Sequence, residues 1–512
     1  MKVSEFISSL ARQDIRLWVD GGNLRYSAPD GALTPAVLGQ MRDLKTQIIE
    51  FLSGARGYSA DAIRPVPRDK GGVLSLGQQR LWFLQQLDPH SGAYNIPGAL
   101  RIRGPLHKEV LRRVFEQIVG RHEILRSLYK DHAGTPVLCF NDECHWAYAE
   151  ESLRVIDAEL RQARATEIAV RESATPFDLG QGPMLRVRLL ELGDEDHVLL
   201  VTMHHIVADG WSVGVLIQEL IILYAAFVAE QPSPLPPLAI QYADFAAWQH
   251  DHLRGARLEE QVSYWRQQLA GAPPLIQLPT DRPRPALQTF KGSSITFQLP
   301  ASLGAQLGEF CGQQGITVFM ALLAAYQLLL QRYSGQSDLT VGIPIAGRTR
   351  TELEALIGFF VNALVMRADL SGNPTVTELL GRTRETTLAA YAHQDVPVDI
   401  LVDSLGVERS TSYGPLAQVG FALQDTAQMQ GGVGDPQAFA GLGLEVLPFE
   451  VVGQTAKYDI TLMAAPLSDG SLLGTLEYST DLFERATVER FARHYRRVVE
   501  WMLADPTRHV DG

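Results

Sequence analysis

At 512 residues, with 46% hydrophobic and 20% charged side chains, the chain is long enough for more than one buried core and has the composition of a globular protein. A formal charge of −13 without any Lys/Arg cluster excludes nucleic acid as the main partner. The three cysteines, Cys139, Cys144 and Cys311, are an odd number in so long a chain, no signal-like segment opens it, and its apolar runs are interrupted too early to span a bilayer; a reducing cytoplasm without membrane contact is expected.

The first predicted unit is small. Val3, Phe6, Ile7 and Leu10 mark one face of a short helix, Ile15, Leu17 and Val19 alternate as a strand, and Gly21, Gly22 and Asn23 form a hairpin turn toward Leu24 and Tyr26. Thr34 and Pro35 open a second helix, whose apolar stripe runs through Leu38, Met41, Leu44, Ile48, Phe51 and Leu52. So short a unit buries little surface alone and is expected to lean on a neighbour or partner. Residues 53–70 carry Gly54, Gly57, Pro65 and Pro67 among small and charged residues and read as a linker.

Beyond it the pattern is mixed α/β. Val110, Leu111, Val114, Phe115, Ile118 and Val119 give an amphipathic helix, and residues 185–192 and 198–203 give strands. Proline-rich stretches at 232–237 and 279–285 lead to a second set of elements: a strand at 294–299, an almost wholly buried helix at 317–333 and a strand at 339–345. Two lobes are implied.

The stretch 198–213, VLLVTMHHIVADGWSV, stands apart. An apolar strand ends in two histidines, which the two-residue period sends to opposite sides, so that one can enter a cavity while the other is held by packing. Asp209 and Gly210 are expected to form a turn, and Ser212 to cap a helix with Val213, Leu216, Ile217, Leu220 and Leu223 on its buried face. Adjacent strand imidazoles diverge and no close third ligand completes a tetrahedral set, so no metal is expected. A base of near-neutral pKa is the functional reading, and a filled core edge the bland one.

With these elements placed, the chain resembles the condensation domain of nonribosomal peptide synthetases over residues 72–505. The motifs that carry the resemblance are Ser75, Gln78, Gln79, Arg80, Leu81, Trp82 and Leu84, with Gly77 where alanine is usual; RHEILRS from Arg121 to Ser127; and MHHIVADGWS, which contains HHxxxDG. Further on come Tyr242, Asp244, Phe245, Ala246, Trp248 and Gln249; Gly358, Phe360, Val361, Asn362, Leu364 and Arg367; His393 to Pro397; and a last motif at Arg409, Ser412, Pro415, Leu416, Gln418 and Val419 that departs from the family at Ser410, Tyr413 and Ala417. Residues 1–57 resemble N-terminal docking domains of synthetase subunits.

The resemblance implies an α/β (α+β) fold: two chloramphenicol-acetyltransferase-like lobes in a V, residues 72–237 and 238–512, with a central tunnel, a linker over 58–71 and an αββα-type docking domain over 1–57. It implies amide formation between a donor aminoacyl or peptidyl thioester and an acceptor aminoacyl thioester. Both would arrive on phosphopantetheine arms delivered by upstream and downstream carrier proteins, with no cofactor bound by the chain itself. The docking unit would receive the C-terminal tail of an upstream subunit by strand addition. A downstream adenylation domain is expected in a longer protein of which this chain is an excised piece. His205 is then the residue nearest the attacking amine, as base or as positioner, and the Gly210 N–H a donor to the developing oxyanion. His204 and Asp209 are expected to be structural, with Arg348 the first and Arg126 the second candidate to pair with Asp209. Trp211, Asn362 and Gln418 are candidates for the tunnel wall. The opening motifs SLGQQRLWFL and RHEILRS look like the subgroup that joins L-donor to L-acceptor. The competing readings are a coenzyme A-type small-molecule acyltransferase and a non-catalytic carrier-binding module; heterocyclisation and epimerisation domains are disfavoured by the motifs.

Overall fold

The computed structural model describes residues 16–20, 23–27, 41–42, 44–45, 62–68, 71–132, 134–141, 146–408, 410–424, 440–449 and 455–511. The chain divides into two compact units, Met1–Arg64 and Pro65–Gly512. In the first, β1 (Arg16–Asp20) pairs antiparallel with β2 (Asn23–Ser27) in a register that sets Asp20 opposite Asn23. The expected hairpin therefore has residues 21 and 22 between its strands, and Asn23 belongs to β2 rather than to the turn. Helical backbone at residues 41, 42 and 45, with Met41 buried, falls on the second expected helix. The first helix, the Thr34–Pro35 start and Cys144 lie outside the described residues.

The second unit opens with a fastened segment. The Val66 N–H donates to Asp244 at 2.8 Å, and Arg68 pairs with Glu123 and Asp244, so the C-terminal end of the expected linker is tied down rather than free. α1 (Leu76–Leu87) starts at a capping box in which Ser75 and Gln78 satisfy each other's backbone N–H groups. There follow β3 (Asn95–Arg103), α2 (Lys108–Arg121), β4 (Ser127–His132), β5 (Thr135–Phe140), β6 (Ala147–Ser152), α3 (Ala158–Ala174), β7 (Leu185–Gly193), β8 (Asp196–His204) and α4 (Gly210–Val228). On one face of β8, Val198 and Leu200 pack against Ala165, Ile168 and Ala169 of α3, and alternation carries that face through Thr202 to His204.

α4 is long and apolar enough to cross a membrane by length and composition, which the uneven apolar pattern had not led one to expect. Yet Glu219 sits at its middle, buried and paired with Arg121 and His122 at 2.7 and 2.9 Å, and α2 packs along it. Those contacts are those of a lobe's core helix.

The later elements are α5 (Tyr242–His252), α6 (Ala256–Gln268), β9 (Gly292–Leu299), α7 (Ala301–Gln314), α8 (Val318–Ser334), β10 (Asp338–Ile345), β11 (Asn362–Asp369), α9 (Val376–Ala392), α10 (Val398–Ser404), β12 (Val419–Leu423), β13 (Glu445–Pro448), β14 (Ile460–Pro466), β15 (Leu472–Ser479) and α11 (Arg485–Ala504). They build a six-stranded sheet, ordered β11-β10-β12-β14-β15-β9. α8 is its central helix: Thr317 caps its start, Gly335 at φ 71° ends it, and every residue from Met320 to Leu330 is buried.

The first lobe's sheet is ordered β13-β3-β8-β7-β6. Its outer strand thus comes from the second half of the chain, with Glu445 opposite Arg103 and Pro448 opposite Leu100. The stretch 238–512 does not stay within one lobe.

Candidate active site

β8 is the middle strand of its sheet, which is why its end can carry polar groups into the interior at a fixed position. His204 is 1% exposed, accepts the Ile206 N–H on Nδ1 at 3.1 Å and meets Phe177 edge-on. That bond places the ring's proton on Nε2, which has no partner among the described residues. Burial pushes this imidazole down to about 3, helped by the charges of Lys457 and Arg186.

His205 turns the other way. It lines a cavity of about 720 Å³, and its ring stands edge-on to Phe359 with centroids 5.3 Å apart. Its main-chain N–H donates to the Tyr94 carbonyl at 2.8 Å, and the ring Nδ1 lies 2.9 Å from the Ala208 carbonyl. A carbonyl only accepts, so Nδ1 carries the proton and Nε2 the lone pair. Burial drives this ring down to about 3 as well, with Lys457 the strongest charge acting on it. The imidazole is neutral at physiological pH and offers an acceptor.

Asp209 caps α4 from an extended conformation, accepting the Ser212 N–H at 2.9 Å. The cap is thus Asp209 and not Ser212, and Gly210 is the first helical residue rather than part of a turn. The other carboxylate oxygen accepts the Phe360 N–H at 2.9 Å. The Ser212 hydroxyl accepts the Gly358 N–H at 3.0 Å, while its one proton serves Asp209 at 2.7 Å or the Gly358 carbonyl at 2.8 Å. Arg348, with a side chain 0% exposed, completes the group, reaching Asp209 at 3.3 Å, Ser212 at 2.9 Å and the carbonyls of Leu353 and Leu356. Its guanidinium lies 4.0 Å over Phe360, and burial lowers its pKa while Asp209 opposes the shift. This cluster fastens the start of α4 to Gly358 and Phe360 of the other lobe. Arg126 takes no part: it donates to the carbonyls of Val119 and Asn141, closing the end of α2, and so is spent before it could reach Asp209.

Gly210 lines the cavity, and a Cβ there would meet nothing within 4 Å, so the space a side chain would take is left to a ligand. Trp211 lines it too, anchored by Nε1 to the Glu354 carbonyl at 2.9 Å. Asn362 donates to the carbonyls of Gln394 and Val396, and Gln418 joins Ile276, Pro274 and Gly414; both border the cavity while satisfying backbone groups. Among the described residues no group of three or more His, Cys, Asp or Glu side chains is placed to hold a metal ion.

Residue-by-residue reading of the sequence left out two groups. The Tyr242 hydroxyl donates to the Phe359 carbonyl at 2.6 Å and receives Ser75 at 2.7 Å, and its ring lies where any Cβ at residue 358 would be, 2.0 Å away. Gln78, fully buried, holds the Ile206 carbonyl at 2.8 Å and Tyr129 at 2.9 Å. Both stand in recognised motifs, yet nothing local in the sequence says what they touch. The second group is Lys457, in the cavity wall, whose segment carried no motif at all.

Comparison with known proteins agrees with this arrangement. A family model described as the condensation domain matches residues 72–512, and one described as the TubC N-terminal docking domain matches residues 3–53. The linear gramicidin synthase of Brevibacillus parabrevis includes a large polypeptide that is 46% identical over 467 residues, which is 91% of this chain and 6% of that protein. The chain therefore spans only a small part of the length of such relatives. Among solved structures, the X-domain from teicoplanin biosynthesis matches with a TM-score of 0.77 at 28% identity, covering 88% of this chain and 99% of that one. A four-domain nonribosomal peptide synthetase bound to AMP and glycine matches with a TM-score of 0.75 at 26% identity, covering 86% of this chain and 33% of that one. With the HHxxxDG strand end, the Asp209–Arg348 clamp and a match across nearly its whole second unit, the chain belongs to the condensation-domain family of nonribosomal peptide synthetases.

Proposed function

We propose that the chain joins a donor aminoacyl or peptidyl thioester to an acceptor aminoacyl thioester, both presented on the phosphopantetheine arms of carrier proteins. The observation that carries this reading is His205: a neutral imidazole, fixed in tautomer by Ala208, opening into a cavity between elements of both lobes. The acceptor nitrogen attacks the thioester carbon, the carbon–sulfur bond breaks, and the proton lost by nitrogen ends on the departing sulfur. Nε2 accepts a hydrogen bond from the amine and aims its lone pair. A ring held near pKa 3 keeps a proton poorly, which favours this positioning role over a stable proton transfer to His205. The Gly210 N–H, at the start of α4, is the donor for the carbonyl oxygen.

The donor carrier comes from an upstream subunit whose C-terminal tail adds to the hairpin unit, and the acceptor carrier and an adenylation domain lie downstream, in the cytoplasm. The donor residue is L-configured, as the first two motifs indicate. The test supplies both carriers loaded and follows the dipeptidyl thioester by intact-protein mass spectrometry. Carrier binding without any amide would instead mark a non-catalytic module, and transfer from free acyl-coenzyme A to a small amine would mark the acyltransferase reading.

A further inference from the structure

Lys457 stands just ahead of β14 in the wall of the cavity that His205 opens into. Its side chain is exposed to the cavity, and the protein that surrounds the cavity pushes its ammonium down to about 8. Among the described residues no carboxylate comes within salt-bridge distance of it. The groups facing it come from several elements. Glu477 of β15 accepts a hydrogen bond from the Lys457 main-chain N–H, not from the ammonium, and burial raises its own pKa. Arg80 of α1 opposes the charge and is itself paired with Asp399 of α10 at 3.2 Å. Tyr94 offers its ring, 5.3 Å from Nζ, and the carbonyl of the same Tyr94 holds the His205 N–H. Lys457 is also the strongest charge felt by both histidines.

An ammonium with no carboxylate in salt-bridge distance among the described residues brings a positive charge to the cavity wall, where a cleft bounded by protein focuses its field more than open water would. Nothing already described uses it. On the condensation reading given above, on which this inference rests, negative charge first appears on oxygen: as the amine nitrogen bonds to the thioester carbon, the carbonyl π pair moves onto oxygen. It returns when the carbon–sulfur bond breaks and sulfur takes the pair, then the proton released by nitrogen. We propose that Lys457 is a catalytic cation of this reaction, its ammonium stabilising the transient oxyanion together with the Gly210 N–H. Added to burial, which is the larger cause, the charge also disfavours protonation of His205, so one group favours both the free acceptor on its nitrogen and the charge on oxygen.

The test compares the full chain with Lys457→Met and Lys457→Arg in single-turnover amide formation with saturating loaded carriers, from pH 6.5 to 9.5. Lys457→Met is expected to melt near wild type, bind both carriers within about twofold and lose about 100- to 1,000-fold in rate, the scale of removing one oxyanion donor. The wild-type rate should fall as pH rises through about 8. Lys457→Arg should recover most of the rate and lack that alkaline fall, because guanidinium stays charged. A purely structural role through Tyr94 would leave the alkaline limb in place in Lys457→Arg, and that result overturns the inference. So does a Lys457→Met rate within about threefold of wild type. A wild-type protein that forms no amide would sink the condensation reading itself, and this inference with it.

Discussion

Replacing Asp209 by alanine strips the clamp of its only carboxylate. The Arg348 guanidinium is left charged with a fully buried side chain, the Phe360 N–H loses its acceptor, and α4 loses its cap. Taken singly, these cost about 3–5 kcal/mol for a broken buried pair, about 1–3 for an orphaned N–H and about 1 for a lost cap. Because one carboxylate serves all three they do not add, and a net loss of about 4–6 kcal/mol is expected. In a unit of this size that corresponds to a melting temperature lower by about 5–10 °C, measurable by calorimetry or by fluorescence of the tryptophans. The double variant with Arg348→Met should melt no lower than Asp209→Ala alone, since removing the stranded cation offsets the loss of its partner. Asp209→Ala that melts like wild type yet forms no amide would refute the reasoning, and would move Asp209 from the frame of the site to its chemistry.

His205→Ala should abolish most amide formation, about 100-fold or more, while melting and carrier binding stay near wild type; near-normal turnover would remove His205 from the centre of the reaction. His204 stays neutral in the fold down to about 3 but ionises near 6.5 when unfolded, so its contribution is complete above 6.5 and lost as pH falls toward 3, by up to about 1.4 kcal/mol per pH unit. Urea titrations at pH 6.5 and 4.5 should therefore show wild type losing about 2–3 kcal/mol more than His204→Gln, and parallel losses would count against a buried neutral imidazole. Deleting residues 1–57 should abolish coupling to an upstream carrier on a separate chain but spare a carrier fused directly at Lys70, because fusion replaces docking with effective concentration; equal loss in both formats would make the segment a support of the lobes. Matched L- and D-donors on one carrier should differ about ten- to hundred-fold in initial rate in favour of L, and equal or faster D-transfer would overturn the assignment.

The strand end at His204 and His205 was legible because the run of 198–203, apolar on both faces but for Thr202, fits a covered strand, and alternation then separates the two rings. The buried helix around Leu322 to Leu330 was legible because its apolar run is too long for a strand. Contacts made across the chain were not. Arg348 and Arg126 look alike as sequence, and only the fold shows that Arg126 is consumed by carbonyls at the end of its own helix. The helix cap was assigned to Ser212 because serine is a good cap anywhere; the three-residue offset to Asp209 depends on where β8 releases the chain. Lys457 has no periodic neighbours to announce it, and its setting is assembled from β15 and from α1 and Tyr94, the last two far away in sequence.

The pairing of β13 with β3 has a consequence for synthesis on the ribosome. Glu445 follows Arg103 by 342 residues, which at about 5–20 residues per second is roughly 17–70 seconds of elongation. For the larger part of that interval, once β6, β7 and β8 have emerged by residue 204, residues 100–103 of β3 present an unpaired edge with free backbone donors and acceptors at the rim of the sheet. The nascent first lobe is thus vulnerable to intermolecular strand addition until the far half of the chain arrives, and chaperone demand during translation should track the time taken to reach residue 448. A protein cut between the lobes would carry that open rim permanently.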